Sequence, residues 1–418
     1  MSSRMEIGAR KMRRKIAQLI LCSIIAVAGC GDRKGNVKQT TRSYQLVTNP
    51  KNYVPISRLR WSGSYVVAQY LPALEHFGTN EGLLLTLGPQ SAAASAHLPP
   101  GDAAMAVLDR DAVVISPARG KGVIGYRLPS LERLELPPLP AWDVFPTDQA
   151  GMIALLSRDS RRDVLVYRHV DRKTWRLDCK GNGLDVHGFI VTGDRVALSG
   201  DDVIREGSEY KSGDRIVTQL WSLDDKTSLM KEFSHDDHAY GNWQHAVLLG
   251  DRLFAVTTEF GKYQVADLNV GESVYELDTK IPESEFRDGH GQAFRLIGGR
   301  WVEATGRFFG LEHRSGSKTI TLVAYDLKTG RELQRRTGIP SSIDDVVVCF
   351  DGKQWNAMLE VKGQDRVIVS VADIEQEVAV LEVPPPSDYS LLYTGKQCVI
   401  VTPDGFAHIG DLAPSRGK

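Results

Sequence analysis

The chain has 418 residues, of which 42% are apolar and 25% charged, with 39 Gly and 19 Pro. This balance supplies a large core and excludes a disordered, collagen-like or multi-span membrane protein. The formal net charge of −1 offers no general attraction to a polyanion, and no Lys/Arg stripe interleaved with aromatics follows the first 15 residues, so no nucleic-acid partner is expected.

The first element is an address. Arg10, Lys11, Arg13, Arg14 and Lys15 form a basic patch, and an uncharged, mostly apolar run follows from Ile16 to Gly29. Fourteen residues are too few to span a bilayer comfortably, whereas a basic n-region, a short apolar h-region and small residues at the end describe a secretory signal over residues 1–29. The closing Val27-Ala28-Gly29-Cys30 resembles the lipobox of bacterial lipoproteins. That resemblance implies cleavage before Cys30, diacylation of Cys30, and a lipid-anchored cell-envelope protein held at the outer membrane and facing the periplasm. Several acyl chains on one cysteine make a stable anchor.

Loss of residues 1–29 removes six basic residues and one acidic residue, leaving 45 basic against 51 acidic, a net −6. Residues 30–42 then form the lipidated cysteine and a polar tether, because Gly31 to Arg42 contains one apolar residue, Val37. Cys179, Cys349 and Cys398 remain in an oxidising compartment. Either Cys349 pairs with Cys398 or all three stay thiols.

From residue 43 to 418 the apolar pattern has period two over runs of five to eight residues, broken by Gly, Pro, Asn and Asp. An apolar-rich strand closing on a Leu- or Ile-like anchor recurs at Leu85, Tyr126, Tyr167, Trp221, Ala266, Tyr325, Ala372 and Gly410. The separations of 41, 41, 54, 45, 59, 47 and 38 residues match four-stranded propeller blades of about 40–50 residues. The expected fold is all-β: a single β-propeller of seven or eight four-stranded blades, eight by this count. The eighth unit ends six residues after Leu412, so it lacks an outer strand, and Tyr44-Gln45-Leu46-Val47 is expected to fill that place and close the ring. Within the units, Gly188 to Gly200 and His245 to Thr258 share an apolar strand, a Gly-Asp-Arg turn and a second apolar strand. Trp61, Trp221, Trp301 and Trp355 fall in strand patterns and are expected in the core between blades.

The stretch Ala324-Tyr325-Asp326-Leu327-Lys328-Thr329-Gly330-Arg331-Glu332-Leu333 resembles the outer hairpin of pyrroloquinoline-quinone-type and WD40-like repeats. The docking Trp of the quinoprotein repeat is absent from every outer strand. A lipoprotein of this length with eight blades and a polar tether is also similar in architecture to the propeller subunit of the outer-membrane β-barrel assembly machinery. These resemblances imply a propeller and carry over no quinone-binding or barrel-assembly residue.

Strands that alternate in direction put the inter-blade loops and the second-to-third-strand loops on one face. Asp102, Asp143, Asp185, Asp237, Asp288, Asp344 and Asp388 recur in the inter-blade loops. Asx turns explain such a series without a ligand, and a ring of carboxylates presenting negative potential to a divalent cation is the functional alternative. Three neighbouring loops add His187, then Asp237, His238 and His245, then His290, which together could supply an open metal site. Beside them Tyr240, Asn242 and Trp243 offer a contact anchor for a partner.

No Gly-x-Ser-x-Gly elbow, phosphate loop or Cys-x-x-Cys occurs, and nothing implies a soluble cofactor. The leading expectation is therefore a binding or scaffold module that engages a protein or envelope polymer through its loop-rich face. The alternative is a metal-dependent envelope hydrolase or lyase using the His/Asp set.

Overall fold

The computed structural model describes residues 41–46, 58–61, 65–71, 81–87, 92–100, 103–117, 122–147, 149–158, 163–179, 183–206, 209–224, 227–236, 246–259, 262–279, 293–313, 319–340, 343–361, 366–381, 390–394, 397–401 and 406–411. They form eight antiparallel sheets of four strands. After an opening strand β1 (Thr41–Gln45), the first blade is β2 (Arg58–Trp61), β3 (Val66–Tyr70), β4 (Glu81–Leu87) and β5 (Ala92–Pro100). The second is β6 (Ala103–Asp109), β7 (Ala112–Pro117), β8 (Ile124–Arg127) and β9 (Glu132–Leu134). The third is β10 (Asp143–Pro146), β11 (Met152–Leu156), β12 (Asp163–Arg168) and β13 (Lys173–Asp178). The fourth is β14 (Leu184–Thr192), β15 (Arg195–Glu206), β16 (Glu209–Ser222) and β17 (Ser228–Asp236). The fifth is β18 (Ala246–Leu249), β19 (Leu253–Glu259), β20 (Lys262–Asp267) and β21 (Ser273–Asp278). The sixth is β22 (Ala293–Ile297), β23 (Arg307–His313), β24 (Thr319–Asp326) and β25 (Glu332–Pro340), with the short helix α1 (Trp301–Thr305) between its first two strands. The seventh is β26 (Ile343–Phe350), β27 (Trp355–Val361), β28 (Arg366–Ser370) and β29 (Glu377–Leu381). The eighth takes β30 (Ser390–Tyr393), β31 (Gln397–Val401) and β32 (Phe406–Asp411) from the end of the chain and β1 from its start, in the order β1-β32-β31-β30. All eight anchors read from the sequence lie at or just beyond the end of a third strand, which settles the blade count at eight.

Central and outer strands carry different patterns for one physical reason. Blades pack face to face around a ring, so a central strand is covered by neighbouring blades and by a strand on each side, and an outer strand by less. Met-Ile-Ala-Leu-Leu of β11, the second strand of blade three, is buried at every position. Lys-Thr-Trp-Arg-Leu-Asp of β13 buries only Trp175 and Leu177, while Thr174, Arg176 and Asp178 stay exposed, so this outer strand does carry a tryptophan, against the expectation of none. Two cations cover the Trp175 ring, the Arg168 guanidinium at 4.8 Å and the Lys173 ammonium at 5.1 Å from its centroid.

Seven apolar clusters cover all eight seams of the ring. Those joining blades one and two, two and three, three and four, and four and five are separate. One larger cluster unites blades five, six and seven, and another joins seven and eight. The last brings Leu46, Val399, Val401 and Ile409 of the eighth blade against Val66, Ala68, Tyr70, Leu85 and Leu87 of the first. Each fully buried Val or Leu contributes about 1.5–3 kcal/mol, so every seam is a stabilising interface. Register confirms the closure: Thr41 pairs with Gly410, Arg42 with Ile409 and Gln45 with Phe406.

The repeated Gly-Asp-Arg turns do the same job in successive blades. Gly193 and Gly250 take φ of 58° and 82°, which a tight hairpin requires and a side chain resists. The Arg that follows opens the second strand and reaches the end of the third: Arg195 Nη1 donates to Ser222 Oγ at 2.9 Å, and Arg252 Nε pairs with Asp267 Oδ2. In blade six the resembling stretch folds as read, with Asp326 Oδ1 accepting from the Lys328 and Thr329 amides at 3.1 and 2.9 Å and from Thr329 Oγ1 at 2.7 Å. These bonds hold the Asp326 carboxyl below its usual range, the Thr329 hydroxyl contributing most.

One local expectation is corrected: Trp301 belongs to α1, where a Gly306 C-cap with φ of 66° ends the turn, though its ring is buried against Phe309 as a core residue should be. Of the two readings left open for the cysteines, the structure has the thiols: Cys398 lies on β31, the second strand of its blade, and no disulfide joins it to Cys349. The Cys349 thiol instead donates to the Tyr393 carbonyl at 3.3 Å, the residue paired across the hairpin with Cys398. Burial pushes the Cys349 thiol up to about 11 and Cys179 to about 12.

Candidate functional site

Two faces follow from the strand order. First-to-second and third-to-fourth connections lie on one face, as short turns except in blade six where α1 intervenes, and second-to-third and inter-blade connections share the other, loop-rich face. Of the residues expected on the loop-rich face, Asp237, His238, Tyr240, Asn242, Trp243, His245 and His290 lie outside the described residues, as does Cys30. The contact anchor and three of the four histidines proposed for the metal site therefore carry no geometry. His187 is described, and it marks the part of the rim that can be built from its atoms.

His187 sits on β14, the inner strand of blade four, where the pairing slips between Val186 and Gly188 and leaves His187 as the bulged residue. The opposite strand must come very close: a Cβ on Gly200 would lie 1.7 Å from the Asp185 carbonyl oxygen. Gly200 is therefore fixed by backbone approach. A second slip follows in the β15–β16 pairing, where Asp202 alone faces Gly213, Asp214 and Arg215. The two irregularities flank Asp201 and Asp202 of β15 from either side.

The result is an acidic notch. His187 Nε2 lies 3.1 Å from Asp201 Oδ2, both side chains about a third exposed at 33% and 36%. Asp185 is paired directly opposite Asp201, and its Oδ1 is buried with no hydrogen-bond partner. Asp202, nearly buried, accepts from the Arg215 amide at 3.2 Å and from Arg215 Nε at 3.1 Å. Asp185 and Asp201 thus stand opposite each other with the His187 imidazole on one of them, while the next residue, Asp202, is matched by Arg215. Like charges directly opposite each other are destabilising, so Asp185 beside Asp201 is an arrangement that folding alone does not favour. Its chemistry suits an incoming cation, such as a Lys or Arg head.

Above the notch the blade-four hairpin continues. Strands β15 and β16 have 12 and 14 residues, and their backbones stay paired from Val203 with Ser212 out to Glu206 with Glu209. No other blade has second and third strands this long among the described residues.

Of the seven inter-blade aspartates, Asp143 and Asp185 have described side chains. Asp143 is clamped by Arg158, whose Nε donates to its Oδ1 at 2.7 Å while Nη1 and Nη2 reach the Pro117 and Ser116 carbonyls at 3.0 and 3.1 Å. Arg158 thereby stitches blade three to blade two, with Asp143 as its counter-charge. Asp102, Asp237, Asp288 and Asp388 lie outside the described residues, and Asp344 is placed only by its backbone on β26. Among the described residues, no three His, Cys, Asp or Glu side chains converge as a metal-ligand set. No described helix is long and apolar enough to cross a membrane.

The notch was only half legible in the sequence. His187 and Asp185 stood out by type, whereas Asp201 and Asp202 looked like ordinary strand residues. The signal that points to them is Gly188 and Gly200 inside strand patterns, the mark of a bulge and a close backbone approach.

No protein-family profile matches the chain, and no curated protein matches it. Solved structures do. The computationally designed Ika8 protein is similar over 86% of this chain and 96% of its own, with a TM-score of 0.53 at 11% identity. Hsv2 of Kluyveromyces lactis aligns over 72% of this chain and 91% of its own, with a TM-score of 0.46 at 12% identity. A form of that protein with loop 6CD replaced by a Gly-Ser linker gives a TM-score of 0.47 at 13% identity over 72% and 90%. At these identities the likeness to Ika8 shows the fold alone.

Proposed function

We propose that the protein is a lipid-anchored scaffold of the bacterial cell envelope, tethered through Cys30 at the outer membrane on its periplasmic side, that engages a protein or envelope polymer through the loop-rich face of its propeller. The closed eight-bladed ring supports a scaffold role, since packed seams on every side make a rigid platform for loops. The observation that carries the reading is the blade-four notch, where Asp185 and Asp201 face each other at the foot of a long hairpin. Charges held at a cost to folding fit a site that acquires its counter-charge from a partner. The favoured occupant is a basic segment of a protein. The leader and lipobox supply the address.

The test is co-purification from native membranes with crosslinking, using the lipidated chain beside an Asp185→Asn, Asp201→Asn double variant and a form in which residues 204–211 are replaced by a two-residue turn. A partner captured by the parent and lost from both variants, with melting unchanged, supports the reading. Equal capture by all three removes the notch and hairpin from the contact.

A further inference from the structure

The position and direction of β1 fix where the tether enters the ring. Strand β1 takes the fourth place in the eighth sheet and runs antiparallel to β32, with Thr41 beside Gly410 and Gln45 beside Phe406. In every complete blade the fourth strand starts at the tight turn that follows the third, as Glu332 starts beside Tyr325 in blade six. Thr41 therefore lies on the tight-turn face, and the chain then climbs toward the loop-rich face before starting blade one. The lipidation site precedes Thr41 by eleven residues, so the tether spans at most about 40 Å fully extended. A random coil of eleven residues has an r.m.s. span of about 18 Å. A six-residue strand such as β12 is itself about 20 Å tall. With the loop-rich face down, the tether would use its whole typical span on climbing past the blade. With the tight-turn face down, it uses none.

Three independent features favour the same pose. Residues 31–42 carry Arg33, Lys34, Lys38 and Arg42 against Asp32, a net charge of +3 that draws the tether's root toward anionic headgroups. The six exposed large apolar side chains among the described residues, Val170, Leu229, Val270, Val274, Leu333 and Phe350, all stand at tight turns or at the strand ends beside them. Val170 is 85% exposed at the tip of its turn. The acidic notch, which an anionic surface would repel, opens at the opposite face and in blade four, diametrically across an eight-bladed ring from the tethered blade.

We infer that the tight-turn face of the propeller lies against the bilayer that holds the lipid anchor, so that the blade-four notch and hairpin point away from the membrane. The occupant of the tight-turn face is thus a lipid surface with anionic headgroups, met by the exposed valines of the blade-three and blade-five turns. This rests on the anchor reading given above, and it adds the orientation and the surface that touches lipid.

The test uses the full-length chain, processed and lipidated in cells, purified and reconstituted into vesicles containing anionic lipid. Mass spectrometry of the N-terminal peptide first reads the acyl chains. Single probes are then attached through Val170→Cys and Asp178→Cys, at the two ends of blade three, and through Lys328→Cys and Thr319→Cys, at the two ends of blade six. The unsubstituted chain, labelled in parallel, sets the background. With a quencher on the lipid headgroups, probes at 170 and 328 should be quenched at least twofold more than those at 178 and 319. Equal quenching, or the reverse order, in a chain shown to be acylated overturns the orientation and leaves the anchor standing. An N-terminal peptide without acyl chains overturns both.

Discussion

Ser43 Oγ lies 2.8 Å from His408 Nδ1, a residue 365 positions further along the chain. The contact joins the first described strand to the last one, so the eighth sheet holds the two ends of the domain in one hydrogen-bonded ladder. Closure by β1 is what separates this ring from an open stack with exposed edges.

Leu46, at the end of that strand, is buried among Val66, Tyr70, Val399 and Ile409. Leu46→Ala should cost about 2–3 kcal/mol, the lower part of the range for a core leucine. Urea unfolding of parent and variant measures it. A cost near zero would show that β1 does not seal the seam between blades eight and one.

Arg158 should matter out of proportion to its exposure, because it bonds one carboxylate and two main-chain carbonyls on neighbouring blades. Its ion pair with Asp143 is partly exposed and worth little by itself, so the expected loss comes mainly from orphaned acceptors. Arg158→Met should cost about 2 kcal/mol, and Arg158→Lys, which keeps the charge and loses the planar fork, should recover less than half of it. Recovery of the whole by lysine would mean that the fork is unimportant.

The Asp326 turn gives a pH dependence with a definite sign. Its carboxyl is held below the ordinary 3.8, so its stabilising effect is fully present above that value and fades as pH falls through the depressed one. Asp326→Ala should therefore cost about 1 kcal/mol at pH 7, and the gap between parent and variant should narrow below pH ~3.8. Chemical denaturation at pH 7 and at acid pH reads both numbers. A gap that is constant with pH would show that the ionised form is not the one that caps the turn.

Cys179 and Cys349, pushed up to about 12 and about 11 by burial, should remain protonated and react slowly with alkylating reagents at pH 8 in the folded protein. After denaturation without reductant, peptide mapping should find Cys179, Cys349 and Cys398 each alkylated. A crosslinked peptide containing Cys349 and Cys398 would contradict the thiol assignment.

Spacing, strand count and closure were legible in the sequence because they depend on period and length. Anchors such as Tyr325-Asp326-Leu327 end third strands, where an aspartate can cap the coming turn, and that chemistry repeats even where identity does not. Trp301 misled, since five residues of helix inserted in an apolar stretch look like strand until Gly306 ends them. Asp143 misled differently: its type suggested a ligand, and only Arg158, 15 residues away in sequence, shows that its charge is already matched. The notch depended on two register slips, and a bulge leaves no more trace in a single sequence than a glycine in an unexpected place.

The most direct test of the closed ring is a crosslink between its ends. Cross-strand neighbours have Cα atoms about 4.5–5.5 Å apart, inside the range a disulfide spans. In a Ser43→Cys, His408→Cys chain, mild oxidation of the folded protein should join the two positions within one molecule, while Ser43→Cys paired with Lys328→Cys two blades away should stay open. A folded chain in which 43 and 408 cannot be joined, or in which 43 joins 328 as readily, would contradict an eighth blade built from both ends of the domain.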